Sequence, residues 1–550
     1  MEISEIFTKK NIEMLKLLGK EGVHVREIAK RAECSPAHVT NSVKLFLREG
    51  LVKEEIVGNK KIVRLDYDSG KLKGILELIE EKETITPRLN IFDAISPLDF
   101  RYYGRDSKVL AEFSPYLSEN GFIRYAARVE DALTRTLARR KICSQAIADE
   151  VSRACMKVTA QEVYKEEDRI KHNIRALANC IREKVSEKAR PYVHFTTTSH
   201  DIICTADAAR FRDFTNKVMV PAMTEFERTL VELSLREKST LQIGRTHGQH
   251  AEPITFGFAI AQYASRFGHS IIRVKKSGND LRGKIAGAVG SYNASSLFFN
   301  DPVAFEREVL SRLGLKPSPI STQIVEAEYM SEHVHSVINA FGVIANLADD
   351  MRHLQRSEIG EVGEEFGEKQ VGSSTMPQKR NPINFENVKS MWKEFMPRMM
   401  TVYMDQISEH QRDLTNSASS RFIPEMLAAF VLSVKRMNKV MPKLSVDREN
   451  MKRNFEMNRD FIIAEPLYIL LAASNHPDAH EYVRSLTMKS RTAKKSMHEL
   501  LRQDSNIRPY LKRFSKQHIE LLNDPTKYTG IAASKTEEIC VYWKRKLRLS

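Results

Sequence analysis

Between residues 97 and 499 apolar residues recur at helical spacing over runs longer than most globular helices. The runs 121–151, 160–185, 201–237, 256–283, 327–356, 384–408 and 424–440 carry this period, with few strand signals between them. A globular helix usually covers roughly 10–14 residues, so helices near ~30 residues bury a continuous stripe in a bundle or are shared between subunits. The fold class is therefore mainly α. Polar, mostly glycine-bearing stretches at 194–200, 244–253, 287–293 and 363–382 separate the runs. Polar loops at the ends of rigid helices are suited to holding catalytic groups.

At 550 residues the chain exceeds what one core sustains, so several domains are expected. With 42% hydrophobic and 29% charged residues it is neither disordered nor fibrous. No run approaches the ~18 uncharged apolar residues of a membrane span, and the first residues lack the apolar core of a signal peptide. Six cysteines are scattered without a C-x-x-C pair, which argues against zinc ribbons and for a reducing cytoplasm. The net charge of +15 raises the question of polyanions. Residues 1–86 hold 16 basic against 15 acidic side chains, whereas residues 481–550 hold 16 against 7. The basicity thus sits in the C-terminal region, as a solvated surface or an attractor of anions.

The first 85 residues read differently from the rest. Helical patterns cover 6–20 and 25–32, and a third begins after Ser35-Pro36, an N-cap with proline in the first turn. Val39, Val43, Phe46 and Leu47 mark its buried face. Two β-rich runs, 51–57 and 60–65, flank Gly58-Asn59 and predict a hairpin. Three helices and a hairpin resemble a winged helix-turn-helix domain, in which the third helix enters the DNA major groove and the wing touches the backbone. That resemblance places His38, Asn41, Ser42 and Lys44 on the reading face, with Lys60, Lys61 and Arg64 on the wing. The other reading is a module that mediates dimerisation or packs on the body. A charged linker follows at 81–90.

The richest stretch is Gly372-Ser373-Ser374-Thr375-Met376-Pro377-Gln378-Lys379-Arg380-Asn381-Pro382. Its hydroxyls, cation and amides precede a helix start near Asn384, where donors and the helix dipole converge as an anion site. By composition alone it is a loop with a helix cap. The run resembles the GSSxMPxKxNP signature of the fumarase/aspartase superfamily at every fixed position. The resemblance implies a long-helix bundle, with Ser373 as general base on a carbon-bound proton and Lys379 and Asn381 binding substrate. The segment 244–253 contains Arg245-Thr246-His247-Gly248 and resembles the superfamily's second region, which makes His247 the general acid. Its carboxylate partner lies thirteen positions after the loop serine, at Glu386. Such a partner favours imidazolium and keeps a proton available at neutral pH. Thr198-Ser199 resembles the pair that binds a substrate carboxylate; read as sequence, it is also a helix N-cap before Asp201.

Three further segments resemble the adenylosuccinate lyase branch. Ser96-Pro97-Leu98-Asp99-Phe100-Arg101-Tyr102 resembles its SPLDxRY opening and assigns Arg101 and Tyr102 to the nucleotide. Arg412, Ser417 and Arg421 match its R-x4-S-x3-R phosphate and ribose segment, where two guanidiniums suit a phosphate monoester. Thr322-Gln323 matches its substrate-contacting pair, which adds Gln323, and 283–290 resembles its glycine-rich segment. The family's Arg/His/Asp substrate triplet reads Lys171-His172-Asn173, and Asn387 stands where some members have arginine. The resemblance covers roughly 91–500 and divides the chain into 1–85, a helical domain 86–198, a bundle 199–445 and a C-terminal helical domain 446–550. It implies fumarate release from adenylosuccinate and from the succinyl-carboxamide imidazole ribotide of purine synthesis. It also implies a homotetramer with sites shared between subunits, and no metal or cofactor. The rivals are an argininosuccinate-type lyase, which does not need the paired phosphate arginines, and a winged-helix regulator using the body as a nucleotide sensor.

Overall fold

The computed structural model describes residues 8–18, 22–57, 60–75, 95–96, 98–365, 375–376 and 378–549. The chain forms two compact units, Met1–Phe100 and Arg101–Ser550. Among the described residues no helix is long and apolar enough to cross a membrane.

In the first unit helices span Lys9–Leu17, Val25–Arg31 and Pro36–Arg48. Ser35 caps the third by accepting from His38 N at 3.2 Å, with proline at the first helical position. Strands Val52–Val57 and Lys60–Leu65 pair antiparallel, and Val23–His24, which the sequence reading missed, joins the far side of the second. Residues 58–59 and 81–90 lie outside the described residues. One assignment is corrected. Ser42 is buried, not on the exposed face, because its hydroxyl donates to Asn11 Oδ1 at 2.7 Å.

The second unit is helical, but several long runs are interrupted. The stretch 121–151 divides into Glu119–Arg139 and Gln145–Lys157. Lys141 adopts a left-handed φ of 61°, and Ser144 caps the new helix. The stretch 160–185 breaks at Lys171, with φ of 58°, between Ala160–Ile170 and Asn173–Glu183. The run 384–408 ends its first helix, Ile383–Phe395, before Pro397. By contrast 201–237 stays helical through Ser199–Phe214, a π-turn Thr215–Met219 and Val220–Arg236. Pro221 has no N–H for the α-ladder, and the wider turn lies just ahead of it.

Val220–Arg236, Phe256–Asn279, Glu328–Leu354 and Ile423–Val440 form the bundle, with Ile383–Phe395 and Ala532–Leu547 packed on it. Phe226 meets Phe267 edge-on at 5.4 Å, and Phe341 meets Phe430 at 5.7 Å. Burying each such ring stabilises by about 1.5–3 kcal/mol before cavity effects. Gly268 admits the Trp543 indole, since a Cβ there would stand 2.5 Å from the ring.

Candidate active site

His247 sits at the tip of a β-hairpin, a strand pair inside a helical body that helical periodicity does not reveal. Strands Leu241–Thr246 and Gln249–Thr255 pair with Thr246 opposite Gln249, leaving His247-Gly248 as a two-residue turn. Their φ values of 53° and 73° are those of a mirror-image turn, whose twist matches the strands. The turn holds His247 exposed. Below it the hairpin is bolted down by Glu361, which is fully buried. Arg245 contacts one Glu361 oxygen at 2.5 Å, Asn454 Nδ2 donates to the same oxygen at 2.9 Å, and Gln242 Nε2 donates to the other at 2.8 Å. His250 takes a different environment, with Nδ1 3.0 Å from Asn458 Nδ2. Burial and then the Arg245 charge lower its pKa, so it is a poor proton store.

Thr198 is the N-cap of Ser199–Phe214, and its N–H donates to Asp201 Oδ2 at 2.9 Å. Asp201 is buried and paired at 2.5 Å with Lys284, which is also fully buried. The oxygen paired with Lys284, Oδ1, also accepts from Ala286 N at 3.1 Å, and Lys284 Nζ also donates to Gly287 O at 2.9 Å. The glycine-rich segment is thereby fastened beneath Thr198-Ser199. The Ser199 hydroxyl lies 3.5 Å from His172 Nε2, and His172 itself caps Asn173–Glu183 through Nδ1. Lys171 is exposed, and the Asn173 amide oxygen accepts from Ile174 N at 2.7 Å. His194 Nδ1 is 2.7 Å from buried Glu130; burial opposes the imidazolium, but the carboxylate prevails and raises its pKa. Next to Ser199, His200 is lowered to about 4 by burial and then by the Arg412 and Lys284 charges.

All three Arg412 guanidinium nitrogens are sealed from solvent and lack a hydrogen-bond partner, as do the hydroxyls of Thr196 and Thr197. The Gln323 N–H reaches Gln411 O at 3.4 Å, which joins the Thr322-Gln323 loop to this segment. Arg412's charge acts on His200, Asp405 and Asp413. Ser417 and Arg421 are exposed, and Arg421 lies within electrostatic reach of Tyr164. The two arginines therefore occupy unlike environments.

Ser373 lies outside the described residues. Lys379 is exposed, Asn381 is half-buried and Glu386 is exposed in the first turn of Ile383–Phe395. The helix start there is not an open anion site. Glu364 already occupies it, accepting from the N–H groups of Asn384 at 2.9 Å and Phe385 at 3.0 Å. Arg101 is exposed, while the Tyr102 hydroxyl accepts from Asn387 Nδ2 at 3.3 Å. Tyr102, Asn384, Asn387, Arg436 and Lys439 line a cleft of about 570 Å³. Within one chain no hydrogen bond or ion pair joins His247 to Glu386.

Residues 100–396 match the protein family described as Lyase, and residues 408–529 match the adenylosuccinate lyase C-terminal family. The adenylosuccinate lyase of Archaeoglobus fulgidus is 34% identical over 455 residues, covering 82% of this chain and 98% of that protein. The chain belongs to the adenylosuccinate lyase family. The adenylosuccinate lyase of Pyrococcus abyssi is likewise 34% identical, with 82% and 98% of the two chains covered. Among solved structures, a fumarate lyase from Mesorhizobium sp. BNC1 superposes with a TM-score of 0.68 at 22% identity, covering 78% of this chain and 97% of that one. A 3-carboxy-cis,cis-muconate lactonizing enzyme from Pseudomonas putida gives 0.70 at 21% identity, covering 79% and 97%. These two likenesses establish the long-helix fold of this adenylosuccinate lyase family member.

The groups that sequence reading missed are those that hold this family's motifs in place: Glu361 under the hairpin, Asp201 and Lys284 under Thr198, Glu130 beside His194, and Glu364 with Arg436 at the signature helix. Asp201 and Lys284 stand within segments that resemble the family, but no segment by itself shows that two charged side chains are buried against each other, and a lone acidic residue elsewhere carries no signal of its burial.

Proposed function

We propose that the chain cleaves adenylosuccinate to AMP and fumarate at sites assembled between copies of itself. Ser373 takes a proton from the succinyl carbon, and the charge passes into the adjacent carboxylate. Lys379, Asn381, Thr198 and Ser199 stabilise that dianion. His247, paired with Glu386, protonates the leaving nitrogen as the carbon–nitrogen bond breaks. Arg101, Tyr102, Lys171, His172, Asn173 and Gln323 contact the remainder of the substrate. Arg412, Ser417 and Arg421 receive its phosphate and ribose. The same atoms act on the succinyl-carboxamide imidazole ribotide.

The observation that carries this reading is Arg412. A guanidinium sealed from water with every donor unused is costly unless an anion completes it, and two unpaired threonine hydroxyls, Thr196 and Thr197, precede the Thr198 cap. A phosphate monoester supplies both charge and acceptors. An argininosuccinate-type substrate offers no such group. Exposure of both His247 and Glu386 supports a homotetramer in which the acid and its partner come from different chains. Ultraviolet spectroscopy of the purified protein with adenylosuccinate tests the reading: appearance of AMP and fumarate supports it, and an unchanged spectrum rejects it.

Residues 1–85 form the separate module in this reading, followed by 86–198, 199–445 and 446–550. DNA recognition would run through the Pro36–Arg48 helix, whose His38, Asn41 and Lys44 are exposed. The wing contributes less, because Lys61 pairs with Glu54 at 3.2 Å and Arg64 with Glu55 at 3.6 Å. Duplex binding that weakens steeply with salt, with a slope that falls by about one unit in Lys44→Ala, is the expected result. No gel shift would leave the module an oligomerisation role. A cytoplasmic site of action fits six cysteines that are all free of disulfides.

A further inference from the structure

The helix that carries Glu386 does not cap itself. Its N-cap is Pro382, which has no side-chain acceptor, so the N–H groups of Asn384 and Phe385 have no local partner. Glu364, 5% exposed, supplies the missing acceptor from a distant part of the chain. One of its oxygens takes both N–H groups, and the other accepts from Asn384 Nδ2 at 2.7 Å. The Asn384 amide oxygen in turn accepts from Arg436 Nη1 at 2.8 Å, reaching over from Ile423–Val440. On the other side stands Gln355, the C-cap of Glu328–Leu354. It accepts from Glu364 N at 3.1 Å and donates to Arg380 O at 3.2 Å.

We infer that Glu364, Asn384 and Arg436 are positioning residues that aim Glu386 at its histidine, an inference that rests on the proposed pairing of Glu386 with His247. The Glu386 carboxylate is exposed and makes no hydrogen bond or ion pair among the described residues, so its backbone directs it. It follows directly on Phe385, the last residue whose N–H Glu364 holds. A single cap hydrogen bond would leave the other first-turn N–H without an acceptor. Glu364 instead grips two backbone groups and one side chain, while Arg436 holds that side chain from the opposite direction. Two helices of the bundle thus determine where the first turn points. Its negative charge also suits the helix start. Misplacement by about 1 Å from a change remote from the chemistry is enough to cost ~100-fold in rate.

The test exchanges donor and acceptor across the clasp. Glu364→Gln keeps an oxygen for the two N–H groups but turns an amide toward Asn384 Nδ2. Asn384→Asp sets a second carboxylate against Glu364. Combined, E364Q/N384D restores every hydrogen bond, with only the one between positions 364 and 384 reversed in direction, and Arg436 then meets a carboxylate. Each single variant is expected to lose about 10–100-fold in kcat for adenylosuccinate, with KM changed less than about threefold. The limb of the pH–kcat profile set by the acid histidine should shift in both. The double variant should return to within about threefold of wild type, since contacting residues are non-additive. Additive losses in the double variant, or single variants with unchanged kcat and pH profile, overturn the clasp. Glu386→Gln is measured alongside. If it leaves the pH profile in place, the histidine pairing fails and the inference falls with it. If it moves the profile and E364Q does not, the clasp alone fails. Should the single variants not fold, recovery or failure of the double variant still decides.

Discussion

The region around Thr198 and Arg412 and the pair His247 and Glu386 are built on opposite plans. The first is interior: Asp201 and Lys284 are both fully buried, the loop ending at Thr198 and the glycine-rich segment are fastened to them, and the Arg412 guanidinium is sealed from solvent without a hydrogen-bond partner. The second is superficial, a turn tip and the first turn of a helix, each exposed and each held from beneath by a buried glutamate. Groups that recognise charge gain from a dry, preorganised setting, because electrostatic interactions strengthen as water is excluded. Groups that move a proton between chains have to stand at the surface of their own chain until assembly covers them. On the proposed reading, one chain holds a nearly complete anion site and two halves of an acid pair.

The largest effect should come from the superficial half. His247→Asn keeps a residue that tolerates a left-handed turn, so the fold should survive while turnover falls by about 10²–10⁴-fold. Mixing this variant with Ser373→Ala should restore part of the activity if the two groups come from different chains. Hybrids with no activity at all would break the contrast between the regions. Lys284→Met probes the interior half. It leaves Asp201 buried without its cation, and denaturant melts should show a loss of about 3–5 kcal/mol. A melt indistinguishable from wild type would mean that the pair does not hold the interior site together.

Arg412→Ala should weaken binding of a phosphorylated ligand by about 2–5 kcal/mol relative to its dephosphorylated nucleoside, measured by calorimetry. Arg421→Ala, exposed in the single chain, should cost about 1 kcal/mol or less unless assembly buries it. Equal losses for both ligands in Arg412→Ala would remove the phosphate assignment. The smallest effect concerns His194. Glu130 raises its pKa in the folded state, so its contribution is complete below about pH 6.5 and fades as pH climbs through the raised value. Melting temperature followed from pH 6 upward should therefore decline more in wild type than in His194→Gln. Parallel curves would show that the pair is not coupled to folding.

Much of this division was legible before any coordinates. Helical period announced the bundle, and the resemblance to family signatures singled out Ser373, His247, Glu386 and Arg412. The missed elements share a cause. The hairpin around His247 is short and polar, so neither apolar period nor propensity distinguishes it from a loop. The breaks at Lys141 and Lys171 depend on single left-handed residues that bear no glycine signal. Ser42 looked like a surface residue of the reading helix because burial of a hydroxyl requires a partner, Asn11, that periodicity does not supply.

By itself the sequence determined which side chains are present at which spacing, and hence the helical class, the family and the chemistry those groups are able to perform. Those properties are local, encoded in neighbours three, four or thirteen residues apart. Only the tertiary structure decided that Glu364 closes the helix start whose donors and dipole suggested an anion site, that Arg412 is sealed while Arg421 is not, and that His247 and Glu386 do not meet within a chain. Those outcomes depend on contacts between residues far apart in sequence. Burial and the partner that balances it are properties of packed elements, and no single segment carries them alone.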